Sequence, residues 1–289
     1  MYFNRQITVI IPTLNEASSI AKVVNDLFAL RTCQQCSREL PAPVNSNLER
    51  PDSANDASCH DTGCQCSKPE NSQQLVDQVI VCDNGSTDDT AVIANSCGAI
   101  VTREPEQGYG AACLAALAVP VEKDIVVFVD GDYSVVASEL PDLVKPLIND
   151  EAELVIGSRT LGNCERGALT PPQQFGNQLA SFLIRKLWSC EITDLGPFRA
   201  TTQTTLNDIK MRDRRFGWTV EMQVRALQLD KRIVEIPVTT RRRIGVSKIS
   251  GTLRGVIGAA NGILGTIFKL YLAGPARDTQ QQPLTTRDY

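Results

Sequence analysis

The chain reads as an α/β protein, a mostly parallel sheet flanked by helices. Three observations predict this. Short β-branched runs alternate with helical apolar spacing from residue 7 to about residue 160. The run at 125–129, Ile-Val-Val-Phe-Val, has no polar position, as in a strand buried on both faces. Successive strands also end in charged residues at turns, the edge where open α/β sheets bind ligands.

The totals bound the function classes. With 289 residues, a net charge of −4 and 42% hydrophobic residues, the composition is that of an ordinary soluble globular protein. No run of about 18 apolar residues is present. The start, Met1-Tyr2-Phe3-Asn4-Arg5-Gln6, enters a strand without the charged-then-apolar plan of a signal peptide, which predicts a cytoplasmic protein. Net acidity argues against general nucleic-acid binding. His60 is the sole histidine, so away from it no Ser-His-Asp triad, Cys-His pair or HExxH site can be built.

The first strand, at 7–11, stops at Pro12. Thr13-Leu14-Asn15-Glu16 then leads into a helix with Ile20, Val23, Val24, Leu27 and Leu30 on one stripe. Glu16 has two readings: an acceptor for a ribose or base at the strand end, or a complement to the helix dipole. Residues 31–74 break the pattern and read as a polar insert. Its Cys33, Cys36, Cys59, His60, Cys64 and Cys66 can form a structural Zn²⁺ site, although the spacing is irregular; a surface insert without metal is the alternative. The next strand, at 76–81, runs into Cys82-Asp83-Asn84-Gly85, a carboxylate beside a tight turn, and a helix follows through Val92 and Ile93. A strand at 99–102 precedes Gly108-Tyr109-Gly110, which opens a small-residue helix suited to close packing.

The strand at 125–129 ends in Asp130-Gly131-Asp132. Both carboxylates flank a residue with no side chain, so both can turn toward one point. Two hard oxygen ligands suit Mg²⁺ or Mn²⁺ shared with substrate phosphates; an Asp-Gly turn is the plain alternative. A helix at 140–148 and a strand at 154–156 follow, and Arg159 at that strand's end can clamp a phosphate. The second half changes character. It has a helix at 172–188, an extended polar stretch at 190–199, a helix at 222–229 and a strand at 232–238. Residues 241–248 then carry four cations in eight positions, with Gly245 and Ser247 interleaved, which suits donors wrapped around phosphate. The helix at 252–272 is apolar on one stripe and glycine-rich elsewhere. It either packs on the domain or lies in a membrane interface. Residues 274–289 read as a polar, disordered tail.

Several segments, in order, resemble the family 2 glycosyltransferases of the GT-A (Rossmann-like) fold, and within them the dolichyl- and polyprenyl-phosphate sugar synthases. They are IPTLNE (11–16), VIVCDNGSTDDT (79–90), GYGAAC (108–113), VVFVDGDYS (126–134), IGSR (156–159), TDLGPFRA (193–200), FGWTVEM (216–222) and RRIGVSK (242–248). The resemblance implies one domain over 1–272, a nucleotide-diphosphate sugar donor (UDP- or GDP-linked), inversion at the anomeric carbon, and Mg²⁺ or Mn²⁺ at Asp130, Asp132 and Ser134. Pro12, Leu14, Glu16, Asp83 and Gly131 would line the donor, and Arg159, Arg243, Ser247 and Lys248 would hold donor or acceptor phosphates. Asp132 would serve catalysis through the metal. A polyprenyl phosphate acceptor is already anionic and needs little base catalysis; a hydroxyl acceptor would call on Asp194 or Glu221. The insert departs from the family pattern, and the transmembrane helices of many lipid-phosphate relatives are lacking, so peripheral contact with the cytoplasmic membrane face is expected instead. Two alternatives stay open: transfer to a soluble hydroxyl acceptor, and a non-catalytic zinc-binding or regulatory module on the same fold.

Overall fold

A computed structural model describes residues 4–33, 39–40, 72–245 and 253–274. The chain runs β1 (Ile7–Thr13), α1 (Ile20–Ala29), β2 (Arg31–Cys33), β3 (Glu39–Leu40), β4 (Ser72–Gln74), β5 (Gln78–Asp83), α2 (Thr90–Ser96), β6 (Ile100–Arg103), α3 (Tyr109–Leu117) and β7 (Ile125–Phe128). It continues through α4 (Leu140–Ile148), β8 (Leu154–Ser158), α5 (Pro171–Trp188), β9 (Arg199–Thr202), α6 (Gln203–Ile209), α7 (Trp218–Gln228), β10 (Ile233–Pro237) and α8 (Leu253–Ala273).

The main sheet has seven strands in the order β10-β8-β9-β7-β1-β5-β6. All pairings in it are parallel except those of β9, which runs antiparallel between β7 and β8. The expectation of a mostly parallel sheet with flanking helices is met. Alternate residues of each central strand go to opposite cores. Val9, Val79 and Val127 join α1 and α4 on one face, while Ile10, Ile80 and Phe128 join α3, α6 and α7 on the other. A fully buried aliphatic side chain contributes about 1.5–3 kcal/mol, which is why these strands carry no polar position at their centres.

Three local details differ from or add to the sequence reading. In the stretch at 190–199 a strand begins only at Arg199, and it leads into α6, a helix that periodicity does not predict. Thr202 caps that helix by accepting the Thr205 N–H at 3.1 Å. Helix α7 starts at Trp218, four residues before the expected start, because Trp218 is buried against Phe128 in an edge-on contact. The insert is fastened at its base: β2 pairs antiparallel with β3 and β4, so the chain leaves at Arg31 and returns opposite it at Gln74. The remaining zinc candidates, Cys36, Cys59, His60, Cys64 and Cys66, lie outside the described residues, as do Ser247, Lys248 and the tail from 275.

Helix α8 packs on α5 and α7 through Ile267 and Leu270, and half-exposed Tyr271 meets Trp188 of α5 edge-on, while Phe268 and Leu272 face outward. No described helix is long and apolar enough to cross a membrane.

The two halves are locked at α3. Its first turn donates backbone N–H groups from Gly110 and Ala111 to the carbonyls of Arg215 (3.2 Å) and Arg214 (2.8 Å). A Cβ at Gly110 would collide with the Asp213 carbonyl. Gly110→Ala is therefore expected to cost about 1–3 kcal/mol by forcing the 213–215 segment outward. A melting curve checks this, and an unchanged midpoint would mean that the segment yields freely.

Candidate active site

The carboxylate pair sits where β7 ends beside β1. Gly131 allows the approach: a Cβ there would lie 2.8 Å from Thr13 Cγ2 and 3.4 Å from Ile11 Cγ2. The Ser19 hydroxyl donates to the Gly131 carbonyl at 2.8 Å and ties the loop to the start of α1. Tyr133 takes a left-handed conformation (φ 64°), rare for a side chain of its size. This bends the loop so that the Ser134 N–H donates to Asp132 Oδ1 at 3.0 Å. Ser134 meets Asp132 through its backbone in this arrangement.

Burial, followed by the neighbouring Asp132 charge, pushes the Asp130 carboxyl up to about 7. Keeping both carboxylates ionised side by side is therefore unfavourable here without a further cation. That donor set fits a hard divalent cation. Among the described residues no third His, Cys, Asp or Glu completes a cluster with them.

The segment after β10 brings cations to this pair. Arg243 Nη1 lies 3.1 Å from Asp132 Oδ2. The Ile244 N–H donates to the Asp132 carbonyl and the Arg241 N–H to the Ser134 carbonyl, both at 2.9 Å. The Arg241 guanidinium lies 5.4 Å from the Tyr133 ring centroid, and the Tyr133 hydroxyl donates to Asp26 at 2.9 Å.

Arg159, at the end of β8, is clamped by Asp194. Its Nε and Nη2 donate to the two carboxylate oxygens at 2.9 and 2.7 Å, and its backbone N–H adds a 2.6 Å bond. Gln223 and Glu235 hold the Asp194 backbone in turn. Asp194, expected as a base for a hydroxyl acceptor, is fully buried and has both oxygens engaged. Glu221, the other candidate, accepts the backbone N–H groups of Arg212 (2.9 Å) and Asp213 (2.6 Å) and pairs with Arg225 at 2.8 Å. Both carboxylates hold structure here.

The residues expected to line a donor lie at the ends of β1 and β5. The Asn84 N–H donates to the Thr13 carbonyl at 2.9 Å. Asp83 accepts the Ser86 N–H at 2.9 Å and faces Arg103 at 3.5 Å. Pro12, Leu14 and Glu16 are partly exposed along the same edge. Glu16 Cγ is 3.6 Å from where a Gly131 Cβ would stand, so the loop after β1 touches the carboxylate loop directly.

Two further residues, Tyr109 and Arg199, lie in the family-like segments at 108–113 and 193–200, but no local feature marks their roles. The Tyr109 hydroxyl donates to Asp130 Oδ1 at 3.3 Å. Arg199 is fully buried with no carboxylate partner among its bonds; its guanidinium donates to the carbonyls of Leu195, Gly196 and Thr219. Burial lowers it only to about 10, so it is a buried cation at neutral pH. Tyr109 lies inside the GYGAAC segment, but nothing local shows where its hydroxyl goes.

Residues 70–209 match the family model for glycosyl transferase family 2. An uncharacterized glycosyltransferase of Mycobacterium tuberculosis is 37% identical over 182 residues, which cover 62% of this chain and 81% of that protein. The dolichyl-phosphate hexose transferase of Haloferax volcanii is 34% identical over 176 residues, covering 59% of this chain and 73% of that protein. Glucosyl-3-phosphoglycerate synthase of M. tuberculosis, crystallised with Mn²⁺, UDP and phosphoglyceric acid, shares the fold with a TM-score of 0.63. It is 20% identical, over 92% of this chain and 78% of its own. The chain belongs to glycosyltransferase family 2, built on the GT-A fold.

Proposed function

We propose that the chain moves a sugar from a UDP- or GDP-sugar to a polyprenyl phosphate, with Mg²⁺ or Mn²⁺ held by Asp130 and Asp132. The H. volcanii relative's name supports the lipid-phosphate acceptor, and the Mn²⁺ and UDP in the structural neighbour support the donor and metal. One observation of this chain carries the acceptor class: the carboxylates suited to act as base for a hydroxyl, Asp194 and Glu221, are already bonded to Arg159 and to the 212–213 backbone with Arg225. A phosphate acceptor needs no such base, because its oxygen is already an anion at neutral pH.

In this reading the acceptor phosphate oxygen forms the new bond to the anomeric carbon as the bond to the donor diphosphate breaks, and the nucleoside diphosphate leaves. A divalent ion held by Asp130 and Asp132 would neutralise charge that builds on the leaving diphosphate. Arg243 would add a cation beside Asp132, and Arg159, held by Asp194, would present another. Ser134 would serve the metal site, and Ser247 and Lys248, which lie outside the described residues, would bind donor or acceptor phosphate. Pro12, Leu14, Glu16 and Asp83 line the nucleoside. Contact with a membrane surface would use the outward face of α8 and the basic segment.

The test is a transfer assay with purified protein, Mn²⁺, UDP- or GDP-sugars and a detergent-solubilised polyprenyl phosphate. Glycolipid formation that stops in EDTA is expected. Full activity in EDTA would remove the metal from the reaction. Transfer only to a water-soluble phosphorylated acceptor, by a protein that does not float with anionic liposomes, would move the acceptor to the soluble class.

A further inference from the structure

Arg243 enters the carboxylate site from a backbone that is fastened on both sides. The Arg241 N–H and Ile244 N–H bond the carbonyls of Ser134 and Asp132, and Thr240 bridges to Val135. The neighbouring side chains are occupied elsewhere. Arg241 lies over the Tyr133 ring, and Arg242 bonds the Arg166 carbonyl at 2.9 Å while its N–H bonds Glu165 at 2.8 Å. Arg243 alone of the three turns inward, its guanidinium on Asp132 Oδ2 at 3.1 Å. Its side chain is 31% exposed against 6% for Asp132, so its outer part has room to swing while the backbone stays put.

A divalent ion at Asp130 and Asp132 would need the same Asp132 oxygen and would bring two like charges close to the guanidinium. Arg159 cannot replace Arg243 there, because Asp194 holds it by three bonds. We infer that Arg243 is an internal cation that holds Asp132 until metal and donor arrive together, and then passes to the donor diphosphate. The inference rests on the metal reading above. It makes Arg243 a positioning residue that couples two ligands: it opposes metal bound alone and favours metal bound with a diphosphate. Such coupling is reciprocal, so the nucleotide must tighten the metal by the factor by which the metal tightens the nucleotide. It keeps the bare enzyme from holding metal idly and requires only a side-chain rotation.

Mn²⁺ binding to the full chain, measured by electron paramagnetic resonance with and without UDP, separates the possibilities, and calorimetry supplies the UDP affinity. Arg243→Gln removes the competing cation from a partly exposed position and is expected to leave the melting midpoint nearly unchanged. Without UDP, the variant should bind Mn²⁺ about fivefold more tightly than wild type, the scale of one lost ion pair. With Mn²⁺ present, its UDP affinity should fall roughly tenfold through loss of a charge-assisted bond. Arg243→Lys should lie between the two. Equal or weaker Mn²⁺ binding by Arg243→Gln without UDP overturns the handover and leaves the metal site standing. Failure of wild type to bind Mn²⁺ in both conditions, with Asp132→Asn indistinguishable from it, overturns the metal reading itself.

Discussion

Asp132→Asn is expected to lower kcat/KM by about 10²–10³-fold, the scale set by removing a preorganised electrostatic partner of the transition state. The amide keeps the shape of the carboxylate, and its oxygen can still accept the Ser134 N–H that Asp132 Oδ1 accepts at 3.0 Å. It loses the negative charge that faces Arg243 and would face the metal. Loss of that partly exposed pair costs about 1 kcal/mol or less. The fold should therefore survive, with a midpoint lowered by no more than roughly 4 °C. Activity and melting must be measured on the same preparation. A variant that keeps a tenth of wild-type activity would take Asp132 out of the metal site.

Asp194→Ala should act mainly through stability. Its carboxylate has no exposure and receives three donors from Arg159, whose side chain is only 19% exposed. Removing one member of such a buried pair leaves the other charge without compensation and costs about 3–5 kcal/mol. That corresponds to a midpoint lower by roughly 10 °C in a domain of this size. Arg159→Met combined with Asp194→Ala should be less damaging than Asp194→Ala alone, because no charge is then stranded. Denaturant titration of the wild type, both single variants and the double variant measures the coupling. Strict additivity would mean that the pair does not act as a unit, and Asp194 would return as a candidate free base.

The fold is legible where the signal is local. The strands at 7–11 and 125–129 declare themselves because both of their faces are buried, and helices α1 and α4 because their apolar stripes repeat at helical spacing. Strand β9 is different: Arg199-Ala200-Thr201-Thr202 has one apolar residue, and its extended form comes from its neighbours Phe128 and Ile156. Glu221 does carry a local signal of its structural role. Arg225 lies four residues later on the same helix, the spacing at which a carboxylate and a guanidinium meet on one face.

The sequence by itself determined the α/β class, the carboxylates at the end of the central strand, and a charged sheet edge of the kind where open α/β sheets bind ligands. These follow from periodicity and from turn residues a few positions apart. Tertiary structure alone decided which charges meet. Arg243 reaches Asp132 across 111 positions of sequence, Tyr109 reaches Asp130 across 21, and Arg159 is fixed by Asp194 rather than free. The physical reason is that a charged group's role depends on its partner and its distance from water. Both are set by packing between segments remote in the chain.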